Sequence, residues 1–88
     1  MRLLKFKQNN CTPCKMAENF IENELKVDVD EVHNLSLGEE RTMQLASKFG
    51  IMTTPALVLV DDDYNQIETV VGVGQNKIRK IFEKRGLI

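Results

Sequence analysis

The sequence predicts an α/β fold, a four-stranded mixed sheet flanked by helices in the order βαβαββα. Three observations carry the prediction. Short apolar runs of strand length alternate along the chain with longer segments whose apolar residues recur every three or four positions. One run, "ALVLV" from Ala56 to Val60, is apolar throughout and rich in β-branched residues, the composition of a strand covered on both faces. After it come a polar turn, "DDDYN" from Asp61 to Asn65, and renewed strand character in "QIETVVGV", the pattern of an antiparallel hairpin.

The elements follow in order. "RLLKF" from Arg2 to Phe6 is the first strand, ended by the loop-forming cluster Gln8-Asn9-Asn10. From Pro13 to Leu25, residues Cys14, Ala17, Ile21 and Leu25 step by three and four and so form one helical stripe, with Phe20 beside it. Pro13 suits the first turn, where its missing N–H has no partner to lose. "KVDVDEV" from Lys26 to Val32 sets Val27 and Val29 against Asp28 and Asp30 at a period of two, which predicts a second strand. Ser36 and Glu39 have the spacing of a capping box, and Glu40 adds a carboxylate to the positive end of the helix they would open. That helix should run to about Phe49, with Met43, Ala46 and Phe49 inward, Leu45 beside them, and Gly50 as its left-handed stop. The last helix, from Asn76 to Arg85, would bury Ile78, Ile81 and Phe82 and end at Gly86. With no repeat, linker or low-complexity tract, residues 1–88 read as a single domain.

Composition excludes several classes of function. A net charge of -1 gives no surplus of Lys and Arg for a nucleic-acid backbone. No apolar run approaches the roughly 20 residues that cross a bilayer. "MRLLKFK" is broken by Lys5 and Lys7 too early for a signal sequence. A monomer in the cytosol, away from membranes, is therefore expected. Two cysteines cannot make the stapled framework of a small secreted protein, so in a reducing compartment they read as chemistry or as metal ligands. His33 at a strand end reads as a packing residue, Asp61–Asp63 as a solvated turn, and Met43 and Met52 as core filler.

The two cysteines stand in "CTPC", Cys11 at the junction of loop and helix and Cys14 one turn in. A thiol at a helix N-terminus meets unpaired N–H groups and the positive end of the macrodipole, which lower its pKa below the free value of about 8.5. Cys11 is accordingly the candidate nucleophile. Cys14 lies on the inward stripe within reach of Cys11 and is suited to attack second. A structural zinc site needs four ligands, and beyond this pair the chain offers only His33 and carboxylates, so a reactive dithiol is the better reading.

Four stretches in order, "CTPC", "KVDVDE", "FGIMTTPALVLV" and "VVGVGQNKIRKIF", span nearly the whole chain, and with them the sequence resembles the thioredoxin family in a minimal form. The resemblance implies that Pro55 is cis and that Thr54 and Pro55 face the two cysteines. It places Gly72 to Gly74 on the same side, and it makes Asn10, Thr12, Pro13, Thr54, Pro55, Gly72 and Gly74 the substrate contacts. It further implies protein disulfides as substrates and no bound cofactor. Reducing equivalents would come from a thioredoxin-reductase-like partner carrying flavin and using NADPH, or from glutathione.

The chain also departs from the family. Thioredoxins begin with an additional strand and helix, whereas this chain starts on the strand leading to the cysteines, as minimal glutaredoxins do. Asn10 stands where thioredoxins carry Trp, Thr12-Pro13 where they carry Gly-Pro, and Lys5 aligns with their buried carboxylate, while Lys26 matches a neighbouring lysine. Glutaredoxins hold glutathione with a glycine pair followed by an acidic residue, which "GVGQNK" lacks. The resulting expectation is a reductase of protein disulfides. A glutathione-dependent glutaredoxin and a non-enzymatic, redox-responsive binding module on the same fold are the alternatives.

Overall fold

Strand β1 (Arg2–Lys7) lies inside a four-stranded sheet because its residues Leu3, Leu4 and Phe6 have no exposed surface and need cover on both faces. The structure, a computed structural model, describes residues Met1–Ile88. After β1 come α1 (Thr12–Phe20), β2 (Glu31–Asn34), α2 (Glu40–Lys48), β3 (Ala56–Val60), β4 (Gln66–Val71) and α3 (Gln75–Arg85). The strand order is β2-β1-β3-β4, with β1 parallel to β2 and antiparallel to β3, and β3 antiparallel to β4. This is the mixed sheet that the pattern βαβαββα predicts.

Side-chain alternation divides the core into two layers. On one face Leu3, Leu57, Leu59 and Val70 meet Ala17 from α1, Ile21 from the turn that follows it, and Ile78, Ile81 and Phe82 from α3. On the other, Leu4, Phe6, Ala56, Val58 and Val60 meet Ala46 from α2 and Phe49, which caps its end. Every residue of β3 is buried, as its unbroken apolar run requires. The hairpin turn is held by Asp61, whose carboxylate accepts N–H bonds from Asp63 at 2.8 Å and Asn65 at 2.9 Å.

The second strand, the capping box and the two methionines need correction. The second strand is Glu31–Asn34 and not the segment from Lys26. The helix preceding it ends in a π-helical turn, Ile21–Leu25, closed by Lys26 at φ 56°. Val27 and Val29 then cross towards the sheet and pack against its first layer without strand pairing. The two segments first meet at Asp30, whose carboxylate takes the N–H of Leu3 at 2.7 Å and whose own N–H bonds the Leu3 carbonyl at 2.9 Å, and the strand register runs on from Leu4 with Glu31.

Ser36 and Glu39 form no capping box. Ser36 sits in a short 3₁₀ turn, Leu35–Leu37, and its hydroxyl accepts the N–H of Asn9 at 2.8 Å, while Glu39 precedes α2 without a side-chain cap. Met43 and Met52 are not core filler, being 47 % and 89 % exposed; Thr42 takes the inward place on α2. His33 is buried and polar-bonded: its Nδ1 meets Thr42 Oγ1 at 2.8 Å and its Nε2 meets Glu31 Oε1 at 2.9 Å, and its ring stacks on Phe6. Tyr64 donates its hydroxyl to the other oxygen of Glu31, which ties the hairpin turn to the β2 edge.

Candidate functional site

At the end of β1 the chain leaves the sheet through Gln8–Asn10 and enters α1 at Cys11. The loop is held on its far side. Asn9 donates its N–H to Ser36 Oγ, and Asn34 donates its side-chain N–H to Asn9 Oδ1 at 2.9 Å, so the turn after β2 fixes the approach to Cys11. Asn10 takes a left-handed conformation, φ 53°, which Asn tolerates better than most residues.

Cys11 is the N-cap residue of α1. Its Sγ accepts the N–H of Cys14 at 3.2 Å, and its carbonyl receives the first helical bond, from Lys15 N–H at 3.1 Å. No acidic side chain occupies the first turn, so the positive end of the helix is left to the sulfur. Cys11 and Cys14 are joined as a disulfide, with their Cα atoms 5.2 Å apart. Cys11 is partly open to solvent, whereas Cys14 is only 2 % exposed. Thr12 and Pro13, between them, are exposed.

The second wall of the site comes from the loop before β3. The Thr54–Pro55 peptide is cis, Thr54 Oγ1 lies 3.6 Å from Cys11 Sγ, and the Thr54 carbonyl oxygen lies 3.9 Å from it. Pro55 is buried and accepts the N–H of Gly72 at 3.0 Å, which brings the end of β4 beside the same loop. Gly72 has φ 94°, a region that side chains disfavour. Gly74 is different: it caps α3 with an ordinary negative φ, and a side chain there would meet Lys77 only at van der Waals distance. The structure thus gathers Cys11, Cys14, Thr54, Pro55 and Gly72 into one contact chain, flanked by Asn10, Thr12 and Pro13. Gly74 stands at the start of the next helix.

With this geometry in place, comparison with known proteins decides the family. The sequence model of the Thioredoxin family matches residues 1–84. The chain belongs to the thioredoxin family. It is 30 % identical over 84 residues to the SPbeta prophage-derived thioredoxin-like protein YosR of Bacillus subtilis (strain 168), spanning 96 % of this chain and 98 % of that one. It is also similar to the crystal structure of thioredoxin NaTrxh from Nicotiana alata, with 28 % identity and a TM-score of 0.66 over 93 % of this chain and 70 % of that one. In fold alone it is similar to the oxidised C-terminal domain of Neisseria meningitidis DsbD, with 20 % identity and a TM-score of 0.72 over 94 % and 78 % of the two chains.

A thioredoxin-family chain with a CxxC disulfide fits thiol–disulfide exchange. Two features of this thioredoxin-like site escape a reading of the sequence. The Asn9–Asn34–Ser36 contacts join residues far apart in the chain, and only the polar composition of the loop hints at them. The other is a charge cluster behind α1. Lys5 on β1 is buried, and its Nζ lies 3.3 Å from Glu18 Oε1, with Lys7 Nζ 2.7 Å from the same atom. Partial burial pushes the Glu18 carboxyl upward, but the bond from Lys7 and the charges of Lys5 and Lys7 outweigh it and hold the group below its ordinary value.

Proposed function

We propose that the protein is a thiol–disulfide oxidoreductase that reduces disulfides of other proteins. The observation that carries this reading is the asymmetry of the pair: one sulfur caps a helix and meets solvent, and the other is buried one turn in. In the reduced protein Cys11 would be the thiolate, favoured by the Cys14 N–H and the unopposed helix end. It attacks one sulfur of the substrate disulfide. That bond breaks, the other substrate sulfur leaves as a thiolate and is protonated by water, and a mixed disulfide holds the first. Cys14 then loses its proton and attacks Cys11, releasing the second substrate thiol. Two electrons have passed to the substrate, and the Cys11–Cys14 disulfide seen in the structure is the oxidised product.

Substrate contacts are assigned to Asn10, Thr12, Pro13, Thr54, Pro55, Gly72 and Gly74, with Thr54 against the reacting sulfur, its Oγ1 at 3.6 Å and its carbonyl oxygen at 3.9 Å. An extended substrate segment laid along Thr54 would find backbone groups to pair with, the mode by which strands add to exposed edges. Reduction of the disulfide returns the protein to its working state, by a flavoprotein reductase using NADPH or by glutathione. The cytosol is the compartment whose redox poise suits that role. No helix of the structure is long and apolar enough to cross a membrane.

Insulin reduction tests the reading. The wild-type protein should accelerate it catalytically, Cys11→Ser should fall to the uncatalysed background, and Cys14→Ser should accumulate mixed disulfides visible by mass spectrometry. Wild-type turnover in Cys11→Ser contradicts the assignment of the nucleophile. Recycling by glutathione alone, with no response to a flavoprotein reductase, identifies a glutaredoxin instead, and stoichiometric oxidation without turnover identifies a binding module.

A further inference from the structure

Behind the disulfide lies a set of charges that the exchange steps do not use. Lysine is almost never buried unless paired, yet Lys5 is only 8 % exposed. It projects from β1 between Leu3 and Lys7, on the sheet face that α1 covers. Glu18, its partner, stands four residues after Cys14, on the same side of α1 and one turn further along. Glu18 Oε1 is fully buried and has no donor other than the ammonium groups of Lys5 and Lys7. Two cations and one anion are therefore gathered on the side of α1 that carries Cys14, a surplus of one positive charge. Besides these, Arg79 on α3 lies over the Phe20 ring of α1 and Lys77 on α3 sits beside Gly74, and both are the same in every variant below. Lys15 on α1 is exposed, and the segments Gln8–Asn10, Ile51–Pro55 and Gly72–Asn76 carry no charge.

We infer that Lys5, Lys7 and Glu18 are positioning residues for the second exchange step, their net positive charge making the buried Cys14 thiol acidic enough to attack the mixed disulfide. The inference rests on the reading of Cys14 as the resolving cysteine. A thiol in apolar surroundings keeps its proton, because burial penalises the thiolate. A cation surplus in the same low-dielectric region offsets that penalty, and the proton passes to water as Cys14 closes on Cys11.

Charge and packing make different predictions. Lys5→Met leaves the neutral pair Glu18–Lys7 and should hold the proton on Cys14; Glu18→Gln leaves two cations and should release it. Loss of packing would slow both variants alike. The experiment uses the full reduced chain and 5,5′-dithiobis(2-nitrobenzoate) in single turnover across pH 5–9. The first nitrothiobenzoate released reports attack by Cys11, and the second reports resolution by Cys14. Below the midpoint of its pH profile, the second release should slow about tenfold in Lys5→Met and quicken by a comparable factor in Glu18→Gln. Tenfold corresponds to about 1.4 kcal/mol. Lys7→Gln, at a more exposed site, should shift in the direction of Lys5→Met and serves if burial at Lys5 compromises folding. Equal slowing in all variants, or unchanged profiles, overturns the inference. A wild-type protein that gives the first release and never the second overturns instead the assignment of Cys14 as the resolving cysteine.

Discussion

At the scale of single residues, the chemistry turns on how differently the fold treats two identical side chains. Helix position alone sets Cys11 apart from Cys14, and the structure has one capping α1 and the other buried. Thr54 adds a contact that spacing could not reveal, since it stands 43 residues from Cys11. In the reduced protein its hydroxyl can donate to the thiolate, and a hydrogen bond worth about 1 kcal/mol changes a rate by about fivefold. Thr54→Val should therefore slow alkylation of Cys11 at pH 7 by about that factor, measured with iodoacetamide under pseudo-first-order conditions. Lys5 shows where residue-level reading stops. A lysine in a strand looks solvated until the fold sets Glu18 over it. Met43 and Met52 err in the opposite sense: apolar character says that a side chain tolerates burial, while the fold decides whether any is available.

At the scale of elements, the periodic segments were legible and the junctions were not. The helix α3, the strand β3 and the hairpin stand where their patterns put them, because each pattern is local. The start of β2 is instead tied to Leu3 by Asp30, a residue whose side chain does the work of a strand backbone. Its carboxylate accepts from Leu3 N–H and from Arg85, whose Nε and Nη2 approach to 2.8 and 3.0 Å, and so pins the end of α3 to the start of the sheet. The Arg85 bonds, opposed by desolvation and aided by the Leu3 N–H, hold the Asp30 carboxyl below its usual range. A carboxyl lowered by folding contributes its full stability above the unfolded value of about 3.9 and loses it as pH falls through the folded value. Asp30→Ala should cost about 1–3 kcal/mol at pH 7 in urea unfolding, a charged hydrogen-bond acceptor having been removed from two partners. The gap to wild type should narrow as the pH is taken from 7 to 2. A deficit that stays constant over that range would mean that Asp30 acts by packing and not by its charge.

At the scale of the whole molecule, one sheet carries both the stability and the geometry of the site. Both layers of the core depend on it, α1 and α3 covering one face and α2 the other. The side with α1 and α3 holds the larger cluster, and Phe82 has no exposed surface within it. Phe82→Ala should cost about 3–5 kcal/mol in denaturant unfolding, the range for emptying an aromatic site in a core. A chain this small has little stability in reserve, so the same substitution should lower the midpoint of thermal unfolding sharply. Because β1 runs up to Cys11 and β3 runs down from Pro55, their antiparallel pairing from Arg2–Val60 to Phe6–Ala56 sets the two walls of the site side by side. The order of elements gives that pairing in outline, whereas the contact between Thr54 and Cys11 is implied by the resemblance and made by the register.

The central claim is that Cys11 is activated by its place at the start of α1. The most direct measurement is the rate of iodoacetamide alkylation of reduced Cys11 as a function of pH, with the modified residue assigned by mass spectrometry. A midpoint clearly below the value of about 8.5 for an unstructured cysteine is the predicted result. A midpoint at or above about 8.5 would contradict it.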